Sequence, residues 1–216
     1  MINTVIFDMD GVLTDSEPII STASIRGLKE YGVNAKPEDF HPFVGTGDDR
    51  YIGGVAELHG KKYSPDMKRR VYEIYLDILP SMIKPFPGVH DLIRKLKALG
   101  AGMAVASSSD RIKVEATLKA IGIPLDTFRV IIVGDDVAKK KPAPDIYLVT
   151  AKKMKVKPEN CCVVEDAISG VTAAKAAGMR CVAVEQSFPA AELLKSKPDC
   201  IRPKFADITL SNLGLS

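Results

Sequence analysis

The run Thr4-Val5-Ile6-Phe7-Asp8-Met9-Asp10-Gly11 decides the fold. Its first half is continuously β-favouring and apolar, as a strand buried on both faces requires. Two acids and a glycine then close it. Runs of the same kind recur at Met103–Ala106, Val130–Val133, Cys161–Val164 and Cys181–Val184. The segments between carry helical spacing, as in Leu92, Ile93, Leu96 and Leu99. Alternating strand and helix predicts an α/β fold: a Rossmann-like, doubly wound parallel sheet with right-handed crossovers.

One interval breaks this rhythm. Between Asp8 and Met103 no strand-like run of comparable quality occurs, while Ile19–Tyr31 and Met67–Leu79 are amphipathic. Ser64-Pro65-Asp66 is a good helix start. We therefore expect an α-helical insertion over residues 16–83, with residues 1–15 and 84–216 forming the α/β core. The chain returns through Lys84-Pro85-Phe86-Pro87-Gly88, a stiff segment that opens a helix. No internal repeat or low-complexity tract is present.

Composition narrows the function. The 216 residues are 46% hydrophobic, enough for one core with a small inserted domain. Lys and Arg total 30 against 27 Asp and Glu, so the net charge is only +3, without the basic stripe of a nucleic-acid binder. No stretch approaches the ~18 consecutive apolar residues of a membrane span. Cys161, Cys162, Cys181 and Cys200 lack zinc spacing and read as small hydrophobes in a reducing compartment. The first strand starts too early to leave room for a targeting peptide. A cytoplasmic location is expected, or the chloroplast if a transit peptide precedes this sequence.

The polar residues cluster where strands end, which is where open parallel sheets gather ligands. Asp8 and Asp10 follow the first run; two positions apart, they would point the same way if the extended geometry persists. A hard cation with oxygen ligands would relieve their repulsion, and magnesium suits a phosphate substrate; an Asp- and Gly-rich turn explains them equally. Ser107-Ser108-Ser109 follows the second run, as an anion site at a helix N-terminus or as a simple N-cap. Lys139-Lys140-Lys141-Pro142-Ala143-Pro144 follows the third, as a solvated charge run or as a stiff turn that presents Lys141 to a phosphate. Glu165-Asp166 follows the fourth, as metal ligands or with Asp166 as an N-cap. Each signal alone is modest. Their succession after strands one to four, at one edge of one sheet, is hard to obtain from four unrelated caps.

Taken together, Asp8-x-Asp10-Gly-x-x-x-Asp15, Ser107, Lys141-Pro142 and Glu165-Asp166 resemble the four ordered motifs of the haloacid-dehalogenase superfamily. The position of the insertion resembles the subgroup of β-phosphoglucomutases and sugar phosphatases, whose helical cap follows the first motif. The wording is also similar to a plant-type domain of this family. The resemblance implies Asp8 as nucleophile, Asp10 as general acid–base, and Ser107, Ser108 and Lys141 as phosphoryl binders. It implies Mg2+ held by Asp8, Asp10 through its carbonyl, Asp166 and, directly or through water, Glu165. Gly45, Thr46, Gly47 and Arg50 resemble the cap's substrate loop. A turn ahead of a helix and a surface arginine explain them as well. His41, His59 and His90 receive no chemistry.

The expected activity is hydrolysis of a small phosphorylated metabolite, a sugar phosphate, by a monomer without nucleic-acid or membrane partners. A phosphomutase would use the same core. However, the histidine that β-phosphoglucomutases carry after the first motif corresponds here to Ile20, which favours a phosphatase. A metal-free dehalogenase is opposed by Asp10 and Glu165-Asp166. A phosphonate hydrolase would need a recognisable cap lysine. A non-catalytic phosphate-binding module has no need of both Asp8 and Asp10.

Overall fold

The computed structural model describes residues 1–215. Strand β1 (Thr4–Phe7) is followed by helices α1 (Glu17–Lys29), α2 (Asp48–Leu58) and α3 (Pro65–Met82), with a 3-10 segment at Pro37–Phe43. Then come α4 (Val89–Ala98), β2 (Gly102–Ala106), α5 (Arg111–Ala120), β3 (Val130–Ile132) and α6 (Asp145–Met154). The chain ends through β4 (Cys161–Glu165), α7 (Ile168–Ala176), β5 (Arg180–Val184), α8 (Ala190–Leu193), β6 (Cys200–Arg202) and α9 (Leu210–Leu213).

The six strands form one parallel sheet in the order β3-β2-β1-β4-β5-β6. This is the α/β, Rossmann-like sheet expected from the alternation. β6 went unread in the sequence because its three residues, Cys200-Ile201-Arg202, hold only two apolar side chains between Pro198-Asp199 and Pro203, whereas β3, an equally short edge strand, is Val-Ile-Ile. The side-chain period of two sorts the sheet into two packed faces. Val5, Phe7, Val105 and Val164 join one core with Leu92, Leu96, Val114 and Leu118. Ile6, Ala104, Val163 and Cys181 join a second with Ile146, Tyr147, Val171 and Ala174. The cysteines are free, and three of them are buried. No helix among the described residues is long and apolar enough to cross a membrane.

This topology creates the site. From β1 the chain proceeds to β2 on one side, and from β4 to β5 on the other. The crevice between β1 and β4 is therefore the switch point at which such sheets bind ligands. Phe7 is in register with both Val105 and Val164, which brings the ends of β1, β2 and β4 level. The two chain crossings that flank α1–α3 run side by side: Phe86 N–H donates to Leu13 O at 3.0 Å and Thr14 Oγ1 to Lys84 O at 2.6 Å.

Candidate active site

β1 stops at Phe7 because the chain turns at once. Leu13 N–H donates to Met9 O at 2.9 Å and Gly11 N–H to Thr14 O at 2.9 Å. Gly11 has φ +76°, and a Cβ there would lie 1.9 Å from Asp166 Oδ2. Only glycine lets the two loops approach this closely. The turn also separates the two acids, so the extended geometry does not persist and their carboxylates serve different partners.

Asp8 is buried beside Lys141, whose ammonium donates to Asp8 Oδ1 at 2.6 Å, Glu165 Oε1 at 2.6 Å and Ala106 O at 3.2 Å. Glu165 Oε1 also accepts from Tyr147 Oη at 2.8 Å, and Oε2 accepts from the Asp166 and Ala167 N–H groups at 2.9 and 3.1 Å. Gly170 makes room for this carboxylate: a Cβ would meet Oε1 at 1.8 Å. Asp166 does not cap α7; its carboxylate accepts from Ser187 Oγ. Ligand atoms of Asp8, Glu165 and Asp166 lie within 4.8 Å of one another. Three buried acids against one lysine leave negative charge without a counter-charge, and an all-oxygen donor set fits a hard divalent cation. Burial pushes Asp8 up to about 7 against the opposing pull of Lys141. Burial, with the charges of Glu165 and Asp8, also raises Asp166 well above the usual carboxylate range.

Asp10 faces the other way. Its carboxylate accepts from Ser16 Oγ, from Ser109 Oγ at 2.8 Å and from Ser107 Oγ at 3.5 Å. Lys113 Nζ stands 3.3 Å from Asp10 Oδ1. Burial alone would raise Asp10, but the Lys113 ammonium and the two closer serine hydroxyls hold it below the ordinary range. Ser109 thus serves Asp10 and caps nothing, and the N-cap of α5 is Asp110.

Lys113 was not found from the sequence. It is 4% exposed and contacts Ser109 Oγ at 2.9 Å and Asp48 Oδ1 at 3.3 Å. Asp48 Oδ2 in turn accepts from Tyr72 Oη at 2.7 Å and from the Asp110 N–H at 3.2 Å. The available signal was spacing: Lys113 lies one helical turn after Ser109, on the same face. Asp48 gave no such cue, because Tyr72 is 24 residues away and Asp110 and Lys113 more than sixty.

These groups line a cleft of about 360 Å³ between the strand ends and the α1–α2 layer. Asp8, Asp10, Ser107, Ser108, Lys141, Glu165 and Asp166 all reach it, as do Gly45, Gly47 and Ile20. His41, to which no chemistry was assigned, stands on its exposed rim. The Ser108 hydroxyl is buried and has no partner among the described residues. Thr46 and Arg50 do not line the cleft: Thr46 Oγ1 donates to Phe43 O at 2.7 Å, and exposed Arg50 pairs with Glu57 at 2.9 Å, 5.0 Å over the Phe43 ring.

Residues 5–184 match the haloacid dehalogenase-like hydrolase family. The chain is 43% identical over 98% of its length to Protein SUPPRESSOR OF QUENCHING 1, chloroplastic, from Arabidopsis thaliana, but spans only 20% of that protein. It is 35% identical to a phosphorylated carbohydrates phosphatase from Thermotoga maritima, covering 81% of each chain. A crystal structure of a CbbY variant from Rhodobacter sphaeroides in complex with xylulose-(1,5)bisphosphate superposes with a TM-score of 0.89, at 30% identity and over 99% of both chains.

Proposed function

The chain belongs to the haloacid dehalogenase-like hydrolase family, and from that premise we propose a magnesium-dependent phosphomonoester hydrolase acting on a small phosphorylated metabolite, in all a sugar phosphatase. The observation that carries this reading is the pair of opposed carboxylates: Asp8 against Lys141 at 2.6 Å, and Asp10 held separately by serines and Lys113. Two carboxylates in unlike surroundings support two roles, one attacking phosphorus and the other handling the proton.

In this reading Asp8 attacks phosphorus as the ester P–O bond breaks, and Asp10, ionised in the free site, takes up the proton of the bound phosphate-ester monoanion and passes it to the leaving oxygen. Asp10 then takes a proton from water as the water oxygen attacks the aspartyl-phosphate. Phosphate leaves and Asp8 is regenerated. Lys141 and the Ser107 hydroxyl bind phosphoryl oxygens, and Lys141 offsets the repulsion between Asp8 and the anionic substrate. Asp8, Asp166 and the Asp10 carbonyl would hold magnesium, which supplies further positive charge to the phosphoryl group. Both oxygens of Glu165 already have partners. Its part is therefore to hold Lys141 and the Asp166 loop, reaching the metal through water. Residues 16–83 form the cap and residues 1–15 with 84–216 the core, of which residue 216 lies outside the described residues, and Gly45 and Gly47 belong to the cap's substrate loop.

The test is reductive trapping. Borohydride added during turnover of a sugar phosphate with magnesium should convert Asp8 to homoserine, read by peptide mass. Turnover without any modification of Asp8 would overturn the assignment. Ile20, apolar and on the cleft wall near Asp10, favours hydrolysis over mutase chemistry because it offers Asp10 no hydrogen bond. With β-glucose 1-phosphate and a bisphosphate primer, free phosphate should outpace glucose 6-phosphate.

A further inference from the structure

We infer that the leaving-group half of this cleft is built for the neutral or amine-bearing polyol part of a monophosphate and excludes substrates with a second anionic group. The inference rests on the hydrolase reading above and concerns what lies beyond the transferred phosphoryl group.

A second phosphate or a carboxylate needs a free cation or a row of free donors to replace its water. Among the described residues, the lysines lining the cleft are Lys141 and Lys113. Lys141 belongs to the phosphoryl end and is shared between Asp8 and Glu165, at 2.6 Å each. Lys113 is the only one on the Asp10 side, where the leaving oxygen departs. It is buried and shared between Asp10 and Asp48, at 3.3 Å each, with Ser109 completing its shell. A second anion could recruit Lys113 only by displacing one of these carboxylates into a buried site without a counter-charge. Outside the lining, Arg50 is turned to the surface against Glu57, and Lys140, whose Nζ lies behind Gly47, faces Asp49 at 3.8 Å.

The remaining charge on that side is negative. Asp15 and Glu17 lie on the cleft wall beside Asp10, and Tyr51 Oη donates to Glu17 Oε1 at 2.5 Å. A second anion placed there would be repelled by both. Neutral partners reach the cleft singly, from the separate segments after β2, on α7 and after β5, and do not form a row. Gln186, Ser169 and the unpartnered Ser108 hydroxyl reach the lining and suit sugar hydroxyls. The same acids would attract an amine. His41, on the exposed rim, is the remaining basic side chain of the lining.

The experiment measures a hexose monophosphate, the corresponding amino-sugar phosphate and the corresponding hexose bisphosphate under one magnesium concentration and ionic strength. Turnover is followed as kcat/KM on the wild type, and affinity by calorimetry on the Asp8→Asn protein, so that a ratio is obtained even without turnover. The bisphosphate is expected at least ~10-fold below the monophosphate in both measurements, and the amino sugar equal to or above it. In Glu17→Gln the bisphosphate-to-monophosphate ratio should rise at least ~5-fold, whatever the absolute rate. A bisphosphate that binds or turns over as well as the monophosphate overturns the inference and leaves the hydrolase reading standing. Calorimetric discrimination without turnover of any of the three esters overturns the hydrolase reading alone.

Discussion

Asp8 and Asp10 are two residues apart in the chain yet enter unlike environments, and each should be indispensable for a different reason. Asp8→Asn removes the nucleophile and Asp10→Asn the proton carrier, so each variant should lose at least ~100-fold in turnover. Each should keep a cooperative thermal melt, and near-normal turnover in either would sink its role. Lys113 behaves differently because it is both buried and shared. Lys113→Met leaves Asp10 and Asp48 without their counter-charge, which should cost about 3–5 kcal/mol of stability. Adding Asp48→Asn should recover part of that loss in a denaturant titration. If the double variant is no more stable than the single one, the Lys113–Asp48 pairing is not the cause. Gly11 shows why a residue without a side chain follows the motif acids: with a Cβ site 1.9 Å from Asp166 Oδ2, Gly11→Ala must displace that carboxylate. Magnesium affinity should fall at least ~10-fold, as for other disturbances around a metal ligand.

Between elements, charges of opposite sign meet where α2 and α3 face the N-terminus of α5. Lys68 on α3 pairs with Asp110 at 2.8 Å and with Asp49 at 2.9 Å, and Lys140 approaches Asp49 at 3.8 Å. If residues 16–83 act as a lid, the Lys68–Asp110 and Lys140–Asp49 contacts must break in each cycle while Lys68–Asp49 travels with the lid, with motion at the paired crossings near Asp15–Ser16 and Ile83–Pro87. Cysteines placed at Asp49 and Lys140 and bridged by a short, reducible bis-maleimide should stop turnover, and cleaving the bridge should restore it. Unchanged turnover in the bridged protein would remove the lid from the mechanism. At this scale the sequence was legible wherever burial was complete. β1, β2, β4 and β5 announce themselves as continuous apolar runs because both faces are covered. β6 ends on Arg202 with only Cys200 and Ile201 apolar and carries no such signature, whereas partly covered β3 is still wholly apolar.

Over the whole molecule, the buried acids make stability depend on pH and on metal. Asp8 is raised to about 7 from its ordinary 3.8, and Asp166 is also raised. Between those values the metal-free native state binds more protons than the unfolded chain, so its stability falls as pH rises. Bound magnesium answers the same charge. The magnesium-induced rise in Tm should therefore be larger at about pH 7.5 than at about pH 5.5. Equal shifts at both would mean that these carboxylates do not hold the ion. The sequence by itself determined the parallel sheet, the order of the four acid-, serine- and lysine-bearing loops, and their gathering at one sheet edge, because strand burial and chain connectivity are written locally in residue type and spacing. Only the tertiary structure decided that Asp10 turns from Asp8 toward Lys113, that Glu165 has both oxygens occupied, and that Arg50 faces Glu57 at the surface. Those outcomes depend on partners far along the chain: a buried polar side chain points to whichever group can satisfy it, and that group is known only once the elements have packed.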